Sequence, residues 1–402
     1  MRVLFGLPPM AGHARSIAPL AAALRSAGHD IVAVGRPNVV PGILSRHIPA
    51  FPVGQPVDVV GGILKALPAG SSVQEMWGRS DGPEHLVGVA HHYVAYAEEV
   101  LDEVLDFTRA WRPDVVVYDP LDFAARIAAA ELGVPTVRHR WATDPYGTIT
   151  ESEALARLGS LEPALVLDPC PPSLQLPGVA PGMPVRYVQD NGVGVVPPWT
   201  LVPPSRPTVC VCPGTEALTL GGAPGFRNAL LALAQLDVDV IAAVNAANLD
   251  LLGPLPASIR VVDMVPLHMF LHHCTAIVHH GGAGCLLTSI AAGLPQLVLP
   301  VIADQYANGD QIAAYGAGLT LSTMVEQRDP EAVATAVKRL ITDDSLTARA
   351  LTLRAEHESQ PDVFDSVAAL AQVAHHNPRT RLSADGNPPH GRAPAQPQTR
   401  AC

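Results

Sequence analysis

The chain is predicted to be an α/β protein of two Rossmann-like halves, each a parallel sheet between helices, facing each other across a cleft. Three features predict this. Strand-like apolar runs alternate with helix-like runs along the first half. A Pro- and Gly-rich stretch over residues 173–207, with Pro197-Pro198, Pro203-Pro204 and Pro207, interrupts them, and the alternation then restarts. Such alternation implies parallel pairing with helices on both faces. The length, 402 residues, suits two domains that each bury a core.

In order, residues 3–7 read as a buried strand, 17–27 as a helix stopped by Gly28, and 30–35 as the next strand. An amphipathic pattern over 84–111 precedes a third strand at 114–119. A helix over 123–132, ended by Gly133, leads to a strand at 134–137. Beyond the break, strands are expected at 208–212, 238–244, 259–263, 276–280 and 296–301. The expected division is a first domain over 1–190, a linker over 191–207 and a second domain over 208–360. A helix over 361–376 is expected to pack back on the first domain. Residues 377–402, rich in Pro, Arg, Gln and Ala without apolar periodicity, are expected to be disordered.

Composition narrows the function. A net charge of -11 argues against nucleic acid or an anionic membrane as partner. The six cysteines (Cys170, Cys210, Cys212, Cys274, Cys285 and Cys402) show neither a disulfide framework nor CxxC spacing, which fits a reducing compartment. The apolar start is short and broken by Pro8-Pro9, and no run approaches about 18 apolar residues. A soluble, cytoplasmic protein without membrane insertion is expected.

The most informative segment runs from the apolar strand at 276–278 through His279-His280 to Gly281, Gly282 and Gly284, which open a helix. Unpaired backbone N–H groups and the helix dipole favour an anion such as a phosphate there. Gly-rich turns alone carry little weight, since many αβ connections contain them. In the first half, His13 follows the first strand, at the carboxyl end where ligands of open α/β sheets bind. Imidazole is the natural base near neutral pH. Asp119 and Asp122, at the end of another strand, are the carboxylates that could orient it; a helix N-cap is the alternative role for Asp119. A Rossmann dehydrogenase would show GxGxxG after its first strand, and Pro8-Pro9-Met10-Ala11-Gly12-His13 stands there instead.

The segment from Ile277 through Ala292-Gly293-Leu294-Pro295 to Asp304-Gln305 resembles the nucleotide-diphosphate-sugar signature of family 1 glycosyltransferases, in their bacterial antibiotic-tailoring form. The resemblance covers most of residues 1–375 and is weaker over 36–112. It implies the GT-B architecture. It also implies that His13 is the catalytic base, since Gly12-His13 followed by Pro19 to His29 is similar to the family's catalytic segment, with Ser16 where Pro is common. Pro113 to Asp119 matches the strand whose last Asp partners that base. His280, thirteen positions before Gly293, is implied to meet the donor diphosphate, helped by Gly214, Thr215, Gly281, Gly282, Ala283 and Gly284. Cys285 stands where the family carries Ser or Thr, whose hydroxyl reaches the diphosphate; a thiol donates poorly, so Cys285 is implied to bind the donor through its backbone N–H. Although a helix N-terminus lowers a thiol pKa, the thiol is expected to stay protonated beside the phosphates. Asp304 and Gln305 match the pair that bonds sugar hydroxyls, with helix capping as an equal role for Asp304.

Relatives that take UDP-sugars carry Glu where this chain has Thr288, so dTDP is the implied nucleotide, its base lying against Met264 and Val265. Stretches around Trp141 and Asp144, and over 186–199, look like those of enzymes that glycosylate polyketide antibiotics, and place Trp141 and Asp144 near the acceptor.

Together these lead to an inverting, metal-independent glycosyltransferase with no cofactor, using a dTDP-sugar as co-substrate and a hydrophobic aglycone as acceptor. A homodimer or an auxiliary activator protein is compatible with the sequence. The pairs His91-His92 and His272-His273 lack further ligands for a metal. The rival readings are a GT-B sugar-nucleotide epimerase and a non-catalytic auxiliary subunit.

Overall fold

The computed structural model describes residues 1–78, 83–145, 162–263 and 265–376. The first sheet has seven strands: β1 (Arg2–Gly6), β2 (Asp30–Gly35), β3 (Ala50–Pro52), β4 (Val115–Tyr118), β5 (Thr136–His139), β6 (Leu165–Asp168) and β7 (Met183–Pro184). Their order is β3-β2-β1-β4-β5-β6-β7, and every neighbouring pair is parallel. The second sheet is β8 (Thr208–Cys212), β9 (Asp239–Ala243), β10 (Ile259–Val262), β11 (Ala276–His279), β12 (Gln296–Val298) and β13 (Gly318–Thr320), in the order β10-β9-β8-β11-β12-β13, again all parallel. These are two doubly wound α/β sheets.

The apolar runs form central strands because both faces are covered. In β1, Val3 and Phe5 pack with Ile17, Leu20 and Leu24 of the helix Ala14–Ser26, while Leu4 packs on the opposite face with Val104, Ala125 and Ala128. The amphipathic stretch at 84–111 is two helices, Pro83–Glu98 and Leu101–Trp111, interrupted at Val100 (φ -119°, ψ 0°). Strands β3, β6, β7 and β13 went unforeseen; they hold only two to four residues, too few for a period to show.

The chain crosses between the halves more than once. The linker leads from β7 to β8. The helix Val363–His375 places Val367 and Leu370 in the core of the first sheet. In the other direction, the helices Val59–Ala66 and Val73–Trp77, which precede β4 in the chain, pack on the second sheet: Val73 is fully buried in its core, with Val60, Ile63 and Leu67 against it. The strand order reverses between β1 and β4, and between β8 and β11. Ligands of such sheets bind at the carboxyl ends of those strands. His13 and Asp119 lie at the first reversal, and Gly214 and His280 at the second. Among the described residues no helix is long and apolar enough to cross a membrane.

Candidate active site

His13 ends a short 3-10 turn, Ala11–His13, directly after β1. Asp119 follows the last residue of β4. Because β1 and β4 are neighbours, with Gly6 beside Tyr118, the two side chains meet. Nδ1 of His13 lies 2.9 Å from Oδ2 of Asp119. A carboxylate only accepts, so Nδ1–H donates and Nε2 keeps its lone pair. Asp119 is 1% exposed and takes two more donors: Trp141 Nε1–H at 2.7 Å on Oδ2 and the Leu121 N–H at 2.9 Å on Oδ1. The Leu121 bond makes Asp119 the head of a turn rather than a helix cap, since the next helix starts at Ala124. The edge of Trp141 also meets the His13 ring, 4.7 Å between centroids at 85°.

Electrostatics fit a base. Burial alone lowers the His13 pKa, but the charge and hydrogen bond of Asp119 and the charge of Asp304 outweigh it, so the net shift is upward from 6.5. Asp304 belongs to the second domain, so it addresses the base from across the cleft. Burial pushes the Asp304 carboxyl up to about 6, opposed by His13 and by Asn308. Asp122 is a separate group: it packs under Gly6, its Oδ2 accepts the Ala125 N–H at 3.3 Å, and burial and Asp119 raise it to about 7. Asp114 lies at the opposite strand end, bonded to the Arg2 N–H at 2.7 Å.

Across the cleft, the adjacent histidines divide their work. His279 ends β11 and is fully buried; its Nε2 bonds Gln296 Oε1 at 2.7 Å and its Nδ1 accepts the Gly281 N–H at 3.0 Å. Burial drives its pKa to about 3, so it is a structural, neutral ring. His280 lies between two glycines. A Cβ on Gly214 would fall 2.4 Å from its Cε1, and one on Gly282 would fall 2.3 Å from its Nε2. Only glycine leaves room for the ring, and Gly214 (φ 78°) also needs the left-handed region. Burial lowers the His280 pKa to about 4, opposed by a hydrogen bond with the Cys212 backbone. The helix Ala283–Ala292 starts beside it at Gly282, with no side chain capping its first N–H groups. Thr215 is exposed at the same strand end. The uncapped N–H groups of this helix start, beside a neutral imidazole, suit an anion.

Several expected residues are placed differently. The Cys285 thiol packs on Cys212, Sγ to Sγ 3.8 Å, against the apolar cluster around Cys210, Ile277 and Val262. That contact and burial hold its pKa well above the usual thiol value, overriding the helix end. Asp144, expected near the acceptor, is 6% exposed and ion-paired to Arg138 (2.8 Å) and Arg140 (2.9 Å), with Arg140 also on Asp168 (2.7 Å). A carboxylate so committed is a structural pair beneath β5. Trp141 meets the base and its carboxylate rather than standing apart from them. Asp304 does not cap its helix, which begins at Asp304 itself after Ala303; its Oδ2 accepts from Asn308 Nδ2 at 3.2 Å. Gln305 turns its Oε1 onto the Val301 and Ile302 N–H groups (2.9 and 3.2 Å). Val265 packs on the cluster that holds Cys212. Met264 and the tail at 377–402 lie outside the described residues. His273 Nε2 pairs with the Thr200 carbonyl at 2.8 Å, and no group of three or more potential metal ligands gathers among the described residues.

Other residues join the site unannounced by motif. Asn308 is fully buried and donates to the Gly281 carbonyl (2.8 Å), while its Oδ1 accepts the Thr143 hydroxyl (2.5 Å) from the other domain. Its i,i+4 spacing from Asp304 on one helix was the available signal. Thr288 is buried, and its Oγ1 accepts from Asn191 Nδ2 of the linker at 3.1 Å. Tyr187 shares a hydrogen bond with it, and burial pushes that phenol up to about 12.

Residues 22–214 match the family model described as Erythromycin biosynthesis protein CIII-like, N-terminal domain, and residues 227–373 match its C-terminal domain. The chain is 31% identical to 10-deoxymethynolide desosaminyltransferase of Streptomyces venezuelae, over 93% of this chain and 97% of the relative. It is 33% identical to L-demethylnoviosyl transferase of Streptomyces niveus, over 93% and 98%. The structure of Spinosyn Rhamnosyltransferase SpnG complexed with thymidine diphosphate superimposes with a TM-score of 0.82 at 30% identity, covering 92% of this chain and all of that one. The chain belongs to the erythromycin biosynthesis protein CIII-like family and is a GT-B glycosyltransferase of the antibiotic-tailoring kind.

Proposed function

We propose that the enzyme, acting in the cytoplasm, moves a sugar from a dTDP-sugar to a hydroxyl of a bulky, largely apolar natural product, with inversion at the anomeric carbon and without a metal. The observation that carries it is the His13–Asp119 pair (2.9 Å) at one strand reversal, with His280 packed between Gly214 and Gly282 beside an uncapped helix N-terminus at the other. His13 Nε2 takes the acceptor proton as the acceptor oxygen bonds the anomeric carbon. The bond from that carbon to the diphosphate breaks on the opposite face. Charge building on the diphosphate meets the N–H groups of residues 283–285, the Thr215 hydroxyl and His280. Asp304 and the Gln305 amide hold sugar hydroxyls.

The dTDP assignment rests on position 288, where Thr is buried under Asn191 and no carboxylate is present to bond a ribose 2′-hydroxyl. Calorimetric titration is expected to show dTDP binding at least as tightly as UDP, and release of dTDP from a dTDP-sugar is expected only with an aglycone present. Preference for UDP would overturn the nucleotide assignment; aglycone-independent turnover would return the epimerase reading.

The thiol contact adds a prediction. A serine hydroxyl that reached the diphosphate would tighten binding by about 0.5–1.5 kcal/mol, the net value of one hydrogen bond. Because the 285 side chain packs on Cys212 instead, Cys285→Ser is expected to leave the dTDP dissociation constant within about twofold, well under the tenfold that 1.4 kcal/mol would give. A clear gain in affinity would show that the side chain faces the phosphates.

A further inference from the structure

The helix Val73–Trp77 belongs to the first domain by chain position and to the second by packing. Ser72 and Glu75 close a capping box that starts it, and Val73 is fully buried in the second core. Beside it, Gln74 is 6% exposed and sends its amide NH2 to two acceptors: the Pro300 carbonyl at 3.1 Å and Gln327 Oε1 at 2.8 Å. Gln327 Nε2 in turn donates to the same Pro300 carbonyl and to that of Leu321, both at 2.8 Å. At the rim, Arg328 pairs with Glu75 at 2.9 Å.

What these bonds hold is the turn from Pro300 to Asp304. Ala303 sits there at φ 59° and ψ -136°, a conformation that costs a non-glycine residue and persists only where its surroundings over-determine it. Gln305 fixes the turn from within through the Val301 and Ile302 N–H groups, and the Tyr306 hydroxyl donates to the Val301 carbonyl at 3.3 Å. Gln74 fixes it from without, reaching over from the other domain. The strained turn delivers Asp304 toward His13.

We propose that Gln74 is a positioning residue for the donor sugar: its amide clamps the strained 300–304 turn, so that Asp304 and Gln305 are in place only while the acceptor-side strap is docked on the nucleotide-binding domain. The proposal rests on the reading above, in which Asp304 and Gln305 hold sugar hydroxyls. It makes sugar binding depend on the seating of this strap, whereas binding of the bare nucleotide, whose contacts lie at β8 and β11, does not.

Gln74→Met keeps length and volume and removes the amide. Two measurements on the full chain test it. In hydrogen exchange without ligand, amides of 301–306 are expected to lose protection by about tenfold, the effect of leaving a buried carbonyl one donor short, while those of β8 stay as in the parent. In calorimetry with dTDP and dTDP-glucose as probes, affinity for dTDP-glucose is expected to fall about five- to tenfold and that for dTDP by less than about twofold. Unchanged exchange over 301–306, a loss spread over the whole chain, or equal changes for the two probes overturns the proposal. A parent chain that binds neither probe sinks the donor reading instead, and the exchange measurement then decides the clamp by itself. Should Gln74→Met fail to fold, Arg328→Gln releases the exposed rim pair, with the same pattern expected at about two- to threefold; its absence counts equally against the clamp.

Discussion

Replacing His13 with Ala is expected to lower turnover of a dTDP-sugar with a hydroxyl acceptor by about two orders of magnitude or more, the usual loss when a general base is removed. Affinity for dTDP is expected to stay within about twofold, since no nucleotide contact is lost. The separation follows from topology. His13 follows β1 in the first sheet, whereas the glycine-lined His280 and the anion-binding helix end follow β11 in the second. The loop should survive the change, because Asp119 retains its bonds from Trp141 and Leu121. His13→Gln restores a donor for Asp119 without a basic nitrogen, so it should be as slow as the alanine variant. Recovery in the glutamine variant would mean that His13 acts by holding Asp119, and near-parental turnover in both would remove it from the chemistry.

The long buried strands, the Pro-rich division between the halves and the strand-end placing of His13, Asp119, Gly214 and His280 were legible, because each is a local property of residues close in the chain. The pairing of His13 with Asp119 needed only the step that β1 and β4 are neighbours. What the sequence does not show is which partner a given side chain turns toward. Asp144 sits in a motif-like stretch, yet Arg138 and Arg140, on the same short segment, turn it into the protein. Cys285 opens the helix expected to face the phosphates, and its thiol packs on Cys212 of the neighbouring strand. Gln74 was invisible for the same reason: a five-residue helix has no period to detect, and its role comes from a carbonyl 226 residues away.

Asp119→Asn tests the other half of the catalytic pair, and it should change both the height and the position of the pH profile. Oδ2 of Asp119 receives two donors, His13 Nδ1–H and Trp141 Nε1–H, and Oδ1 receives a third from Leu121. An amide offers one oxygen and one NH2, so whichever way it turns, an N–H faces an N–H. If the NH2 faces His13, the ring must accept at Nδ1 and carry its proton on Nε2, where the lone pair is needed. A loss of about 10²–10⁴ in kcat/KM is expected, by analogy with the same exchange in the Ser-His-Asp triad. The sign of the pH effect follows from the charges. The base works unprotonated, so activity is present above its pKa and lost as pH falls through it. In the parent, Asp119 and Asp304 outweigh burial and set that pKa above 6.5. Without the Asp119 charge, burial is left opposed by Asp304 alone, and the acid limb of the profile should move to lower pH even as the plateau drops. A plateau equal to the parent's would show that Asp119 does not orient the base. A lowered plateau with an unmoved limb would show that another group sets the pKa of His13.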